Sequence, residues 1–177
     1  MQDDGQARFA ACVLPHLDAA YNLARWLVRD AHDAQDVVQD ALVRALRHFD
    51  GFRGGDARPW LLAIVRNAAF SWLRERRPDE VALPDDELDT ALAAAAPAAN
   101  PESLAMRRAE RREIDEAIVA LPIALREALV LRELEELSYR EIARITGVPI
   151  GTVMSRLSRA RHLLAAALRP ESTRTPA

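Results

Sequence analysis

The sequence predicts an all-α protein in which two small helical domains are joined by a flexible acidic linker. Half of the 177 residues are apolar, alanine is abundant and aromatic residues are few, which favours helix over sheet. No run alternates Val, Ile or Thr with polar residues as a strand would. Apolar residues instead recur every three to four positions on both sides of residues 78–106. That stretch holds seven acidic residues, four prolines and no basic residue, a composition typical of a connector.

The charge is distributed unevenly along the chain. The net charge is −3, but outside the linker 24 basic residues face 20 acidic ones, so both domains are weakly basic. All the basic residues are arginines. Nucleic-acid binding would explain this, but codon bias in a GC-rich genome is the favoured explanation. A whole-chain isoelectric point near 5.8 therefore does not argue against a nucleic-acid partner.

Several protein classes find no support in the sequence. Cys12 is the only cysteine, so no intramolecular disulfide can form, and no histidine pairs with it at zinc-site spacing. The chain has no secretion signal pattern and no apolar run of about 18 residues. No nucleophile has an evident base. We predict a soluble cytoplasmic protein with no catalytic residue, metal, cofactor or small-molecule substrate, and we interpret Cys12 as a packing residue or a redox accessory.

The first domain is predicted over residues 7–77. Apolar residues from Leu17 to Val28 follow a helical period, and Asp30 is placed to cap the next helix. That second helix carries a polar row on its outer side. The row is explained equally well by the preference of helix N-termini for acids and by a docking patch for a basic protein. Its members are Asp33, Asp36, Gln39 and Asp40.

A glycine-rich loop follows, over residues 50–57, and it contains Phe52 and Arg53. These two side chains suit a clamp on an unpaired base, but the loop alone favours a plain connection with Phe52 tucked into the core. The next helix, residues 58–77, interleaves aromatic residues with five arginines against one glutamate. Such a pattern fits single-stranded nucleic acid, although helices of this kind more often simply bury their tryptophans. Its polar positions include Arg66, Asn67, Arg74, Arg76 and Arg77.

The second domain is predicted over residues 107–169 as four helices, and residues 170–177 are predicted to be a disordered tail. One helix runs from Arg107 and is ended by Pro122, and the next covers residues 124–134. The last two form a helix-turn-helix. Ser138 and Glu141 make a capping box there, and Gly147 supplies the turn.

The second helix of this hairpin has two faces. Val153, Leu157, Ala160 and Leu164 form an apolar stripe. The opposite side is basic and bears hydroxyls, as a helix in the DNA major groove would, and a solvated face is the alternative. Its members are Thr152, Ser155, Arg156 and Arg159.

Three segments together resemble bacterial sigma factors of the extracytoplasmic-function class, over about residues 9–168. They are DAQDVVQDALVRAL, RPWLLAIVRNAAFSWLRERR and LPIALREALVLRELEELSYREIARITGVPIGTVMSRLSRAR, at residues 33–46, 58–77 and 121–161. Helix-turn-helix regulators share part of the last segment but not all three in this order. The resemblance implies a domain that docks on the β′ clamp of core RNA polymerase and melts the −10 element. It implies a second domain that reads the −35 element.

The resemblance also implies roles for single residues. The clamp contacts would be Asp36, Gln39 and Asp40, with Asp33 peripheral. A flipped −10 base would be held by Phe52, Arg53 and Asn67, with Arg66, Arg74 and Arg76 on the backbone. The −35 element would be read by Ser155, Ser158 and Arg159, with Arg132 and Arg156 on phosphates and Thr152 on the same face. Met154 stands where relatives often carry Lys or Arg, so a phosphate contact would be missing there.

Members of this class are commonly restrained by an anti-sigma protein, often membrane-bound, and the resemblance implies such a partner here. It also implies that the acidic linker threads along polymerase channels that otherwise hold nucleic acid. The alternative is a conventional helix-turn-helix regulator that binds duplex DNA without polymerase. That alternative leaves the acidic row and the aromatic, basic helix unexplained.

Overall fold

A computed structural model of the chain describes residues 2–81 and 105–169, and within these ranges all regular structure is helical. The all-α prediction is thereby confirmed. Most of the predicted linker, including a transient helix expected over residues 88–96, lies outside the described residues, as does the predicted tail.

The first domain is built from helices α1 (Gln2–Val13), α2 (Leu17–Val28), α3 (Ala31–His48) and α4 (Ala57–Arg76). A 3₁₀ turn, Leu14–His16, joins α1 to α2, and another, Phe49–Gly51, follows α3. Helices α2, α3 and α4 pack on one another around fully buried Leu23, Leu27, Leu61 and Leu62. Helical periodicity predicted Leu27, Leu61 and Leu62 because one stripe of each helix must leave water, whereas Leu23 lies outside the stripe predicted for α2.

The junction between α2 and α3 follows local rules of helix termination. Helix α2 ends at Arg29, whose backbone is left-handed (φ 68°). The Asp30 carboxylate accepts hydrogen bonds from the backbone N–H groups of His32 (2.8 Å) and Asp33 (3.0 Å). These bonds to the charged form lower the pKa of Asp30. The predicted cap at Asp30 is thereby confirmed.

Helical structure continues beyond the predicted boundary at residue 77. A short helix, α5 (Pro78–Val81), packs against α4. Glu80 on α5 forms ion pairs with Arg29 and, at 3.7 Å, with Arg77. The first four residues of the predicted linker therefore belong to the first domain.

The second domain contains α6 (Ala105–Ala120), α7 (Ile123–Leu129), α8 (Tyr139–Thr146) and α9 (Ile150–Ala167). The prediction of one α-helix over residues 124–134 is wrong in its second half. The chain widens into a π-helical turn, Val130–Leu134, in which the N–H of Glu135 donates to the carbonyl of Val130 (3.1 Å). The Arg132 side chain donates to the carbonyl of Leu137 (2.9 Å) and so stabilises the chain reversal that follows.

The predicted helix-turn-helix is confirmed. Ser138 Oγ accepts from the N–H of Glu141 (3.2 Å), and the Glu141 carboxylate accepts from the N–H of Ser138 (2.7 Å), which completes the capping box. Gly147 adopts a left-handed backbone (φ 74°), where a side chain would be strained. Pro149 stands at the N-cap of α9, one position before the first turn.

The two domains pack against each other. Helix α2 contacts α7, and α4 contacts α8. A single cluster of buried apolar side chains runs through both domains and includes Leu61 and Val65 of the first with Val130 and Ile142 of the second. The surfaces of the two domains must therefore be considered together.

Candidate nucleic-acid and protein interfaces

The acidic row of α3 faces solvent. Asp36, Gln39 and Asp40 are exposed and Asp33 is half-buried. The carboxylates have weak partners on their own helix. Asp40 Oδ2 lies 2.7 Å from Arg44 Nη2, and Asp36 Oδ2 lies 3.9 Å from His32 Nε2. Exposed pairs of this kind contribute little to stability. The row is therefore available to a basic partner.

The loop after α3 is anchored by a cluster of aromatic rings. Phe52 stacks on buried Phe49 with centroids 5.9 Å apart and contacts Trp60 at 4.9 Å. Phe9 meets Phe49 edge to face at 5.3 Å. Phe52 is half-buried, so it packs on the core, as the alternative interpretation expected, but keeps part of its ring exposed. Arg53 beside it is exposed.

The polar face of α4 is only partly open. Asn67, Arg74 and Arg76 are exposed. The Arg76 guanidinium lies over the ring of half-buried Trp72 at 4.8 Å, a cation–π contact that leaves both groups near the surface. Arg66 differs from these, because its side chain is 17% exposed and is held by the second domain.

Helix α9 has the two faces that the sequence predicted. Val153, Leu157 and Ala160 are buried. On the other side the two serines are exposed and the threonine and two arginines are half-buried. These residues are Thr152, Ser155, Arg156, Ser158 and Arg159. Hydroxyls and guanidinium groups on one helix face can reach base edges and phosphates in a major groove.

Two further residues belong to the predicted −35 surface, Arg132 and Met154. The Arg132 guanidinium lies over the Tyr139 ring at 5.0 Å in addition to its bond to Leu137, so this side chain supports the start of α8. Met154 is 53% exposed at the edge of the α9 face. The neighbouring Ile150 is exposed as well, so this edge is apolar.

Three charged residues that no sequence pattern pointed to are buried at the junction of the domains: Arg126, Glu127 and Glu135. Arg126 donates to the carbonyls of Val119 (2.6 Å) and Leu121 (3.3 Å) at the end of α6, and to that of Leu27 (3.4 Å) in the first domain. Burial lowers the pKa of Arg126 to about 10, and the charge of Arg29 adds to the shift. Arg126 therefore ties α6 to α7 and both to α2.

The two glutamates make polar contacts across the junction. Arg66 donates to the Glu127 carboxylate from Nε (2.5 Å) and Nη2 (3.4 Å). Burial raises the pKa of Glu127, and the charge of Arg66 opposes that rise. Glu135 accepts from Asn22 Nδ2 and from Arg58 Nη2, each at 2.6 Å. In the sequence, the only indication of buried charge was the adjacent pair Arg126 and Glu127 within the apolar stretch IALREALVL.

Among residues 2–81 and 105–169, no group of three or more His, Cys, Asp or Glu side chains is placed to hold a metal ion. In the same part of the chain, no helix has both the length and the apolar character needed to span a membrane. Cys12 is half-buried and packs against the core of the first domain.

Two family models match the chain, one for each domain. Residues 12–78 match Sigma-70 region 2, and residues 111–164 match Sigma-70, region 4. The RNA polymerase sigma-H factor of Pseudomonas aeruginosa is 37% identical over 175 residues, covering 96% of this chain and 91% of that protein. The ECF RNA polymerase sigma-E factor of Escherichia coli (strain K12) is 40% identical over 142 residues, covering 75% and 72%.

Solved structures of similar proteins include both domains. The sigma factor RpoE in complex with the anti-sigma factor NepR from Bartonella quintana has a TM-score of 0.69 and 29% identity, covering 97% of this chain and 99% of that one. CnrH in complex with the cytosolic domain of CnrY has a TM-score of 0.64 and 27% identity, covering 92% and 88%.

These similarities extend over nearly the whole chain and agree with the two helical domains, the exposed acidic row and the two-faced α9. They confirm the resemblance inferred from the three sequence segments. The chain belongs to the sigma-70 family of RNA polymerase sigma factors, in the extracytoplasmic-function class.

Proposed function

We propose that this sigma factor docks on core RNA polymerase through the acidic row of α3 and brings two separate promoter-reading surfaces with it. The observation that carries the proposal is that one chain combines an open acidic face on α3 with a basic, hydroxyl-bearing face on α9. A conventional helix-turn-helix regulator would need only the second of these faces. The docking surface proposed on the polymerase is the β′ clamp, and Asp36, Gln39 and Asp40 would contact it.

The −10 element is proposed to bind the first domain as a melted strand. Phe52, Arg53 and Asn67 would hold an extruded base, since Arg53 and Asn67 are exposed and Phe52 offers part of its ring. Removing a base from the stack costs a few kcal/mol, which the pocket must offset. Arg74 and Arg76 lie along the same helix and would contact the backbone, joined by Arg66 when it is released.

The −35 element is proposed to bind α9 as duplex DNA. Ser155, Ser158 and Arg159 would meet base edges, and Arg156 and Thr152 would contact the backbone. Arg132 supports the start of α8 and would add a phosphate contact from the edge of the domain. Together these groups make a small reader whose affinity depends on polymerase holding the other domain.

An anti-sigma protein is the further partner we propose. Both of the similar solved structures are complexes of a sigma factor with such a protein, or with its cytosolic domain. A membrane-bound anti-sigma protein would act from the membrane on a cytoplasmic sigma factor.

Transcription in vitro tests the proposal directly. Core RNA polymerase and the purified chain are incubated with fragmented genomic DNA, and the 5′ ends of the transcripts are sequenced. We expect discrete start sites that share two upstream elements and that require the chain. A chain that binds duplex DNA but yields no start sites with core enzyme would instead be a conventional regulator.

A further inference from the structure

The carboxylate of Glu127 lies between the two domains, against a residue of the predicted −10 surface. Its side chain is 1% exposed, and its partner Arg66 is 17% exposed. The Arg66 guanidinium also lies over the Phe70 ring at 3.9 Å, so it is fixed from two sides. Arg66 cannot contact DNA while it is held in this way.

The same carboxylate also interacts electrostatically with the predicted −35 surface. The positive charge of Arg156 on α9 favours the ionised form of Glu127. Arg66, Arg74, Arg156 and Glu127 line one cavity of about 260 Å³ at the domain junction. Three arginines from both predicted promoter surfaces therefore line the same cavity as this buried carboxylate and as Glu80.

A carboxylate that accepts two hydrogen bonds from a guanidinium presents the same pattern of acceptors as a phosphate. Around it, Glu135 accepts from Asn22 and Arg58, and Arg126 donates to Leu27, so several polar contacts exist only while the domains are packed. A buried ion pair of this kind adds little net stability. Replacing only one partner of the pair, however, leaves the other as an unpaired buried charge and so disfavours the packed arrangement.

The packed arrangement is too short to contact both promoter elements at once. Elements centred near −10 and −35 are about 25 base pairs apart, which is roughly 85 Å of duplex. A compact chain of 177 residues has a radius of gyration of about 16 Å, hence a diameter of about 40 Å. The two domains must separate before both elements can be bound, and separation releases Arg66 from Glu127.

We propose that Glu127 is an internal competitor of promoter DNA, whose carboxylate occupies the phosphate position on Arg66 and keeps the two reading surfaces closed against each other. This inference rests on the proposed function of those surfaces. The chain then binds promoters weakly by itself, and polymerase contributes by holding the domains apart.

The test compares Glu127→Arg with Glu116→Arg in the full chain. Both variants change the charge of the second domain equally, but Glu116 is exposed on α6, whereas Glu127 is buried at the junction. Small-angle X-ray scattering measures the separation, and circular dichroism checks that the helix content is kept. We expect a larger radius of gyration for Glu127→Arg only. The swapped pair Arg66→Glu with Glu127→Arg should restore the compact form.

DNA binding gives the second readout. A fluorescent promoter fragment, with sequence taken from the transcription experiment and the −10 segment held unpaired by mismatches, is titrated with each protein in the absence of polymerase. If nine-tenths of the wild-type chain is closed, the Glu127→Arg variant should bind about tenfold more tightly than the Glu116→Arg control.

The inference is overturned if Glu127→Arg scatters like its control, or if it expands without binding DNA more tightly. Failure of the swapped pair to close again would also overturn it, because closure would then not depend on the charge pair between positions 66 and 127. Transcription by the wild-type chain with core enzyme tests the proposed function separately. If the wild-type chain is active in transcription and Glu127→Arg scatters like its control, only the competitor role of Glu127 is rejected and the proposed function stands.

Discussion

On helix α3 the side chains of Asp36 and Asp40 are 59% and 51% exposed, whereas on α4 the Arg66 side chain is 17% exposed and lies against Glu127. Both helices belong to the same domain, and both carry residues predicted to bind a partner. The face proposed to bind polymerase is thus accessible in the packed chain, while part of the face proposed to bind DNA is covered by the second domain. This difference suggests an order of events in which polymerase binds first and promoter DNA second.

The largest expected effect comes from reversing the charge of the open face. Asp36→Arg with Asp40→Arg should abolish co-purification with core polymerase, since like charges placed against a basic partner cost several kcal/mol. Asp115→Arg with Glu116→Arg is the matched control, because it makes the same charge change on exposed positions of α6. Affinity for core enzyme is measured by fluorescence titration.

Unchanged polymerase affinity in the Asp36 and Asp40 variant would remove the clamp assignment. The acidic row would then be explained by the helix N-terminus alone, and the contrast between the two faces of the first domain would lose its functional meaning.

The predicted −10 surface is tested next, with variants that separate base capture from packing. Phe52→Ala should weaken binding of a melted −10 strand by about 1–3 kcal/mol if Phe52 stacks on a base. It should also lower the melting temperature, because Phe52 packs on Phe49 and Trp60. Arg53→Ala should weaken strand binding and leave the melting temperature unchanged, since Arg53 is exposed. Titration with single-stranded oligonucleotide and thermal denaturation give the two readouts.

A purely structural Phe52 would lower the melting temperature and leave strand affinity in the Phe52→Ala variant as in wild type. That result would move base capture to other residues on the loop or α4. The contrast with the open face would then rest on Arg66 alone.

Most of the helical framework could be predicted from the sequence because its signals are local. The apolar stripe of α2, the Asp30 cap and the Ser138–Glu141 capping box each depend on residues a few positions apart. The opposed faces of α9 follow from the helical period in the same way. The three predicted surfaces lie on such helices or, for Phe52 and Arg53, on the loop between two of them.

The junction could not be predicted because its partners are distant in sequence. Glu127 is separated by 61 residues from Arg66, and Glu135 by 113 from Asn22, so no periodicity relates them. The π-helical turn after α7 is a similar case, since the Arg132 bond to Leu137 depends on how the chain turns back. The burial of Arg66 against Glu127 is therefore a tertiary property, which local sequence patterns do not predict.

Helix α9 extends the comparison to the second domain. Arg159→Ala should weaken promoter binding by about 1–3 kcal/mol if the guanidinium contacts a base, and should relax specificity at one position of the −35 element. Binding is measured by competition between the promoter duplex and a random duplex of equal length. Equal losses on the two duplexes would make Arg159 a phosphate contact instead.

The smallest expected effects come from two serines of the helix-turn-helix that differ in role. Ser138→Ala removes the side-chain cap of α8 and should lower the free energy of unfolding by about 1 kcal/mol. It should leave the preference for promoter over random duplex unchanged. Ser158→Ala should weaken the preference for promoter over random duplex, because Ser158 is exposed on the α9 face. It should not lower the free energy of unfolding, since alanine favours helix. Chemical denaturation and the same duplex competition measure the pair. If Ser158→Ala left specificity intact, the reading surface of α9 would narrow to Ser155 and the arginines beside it.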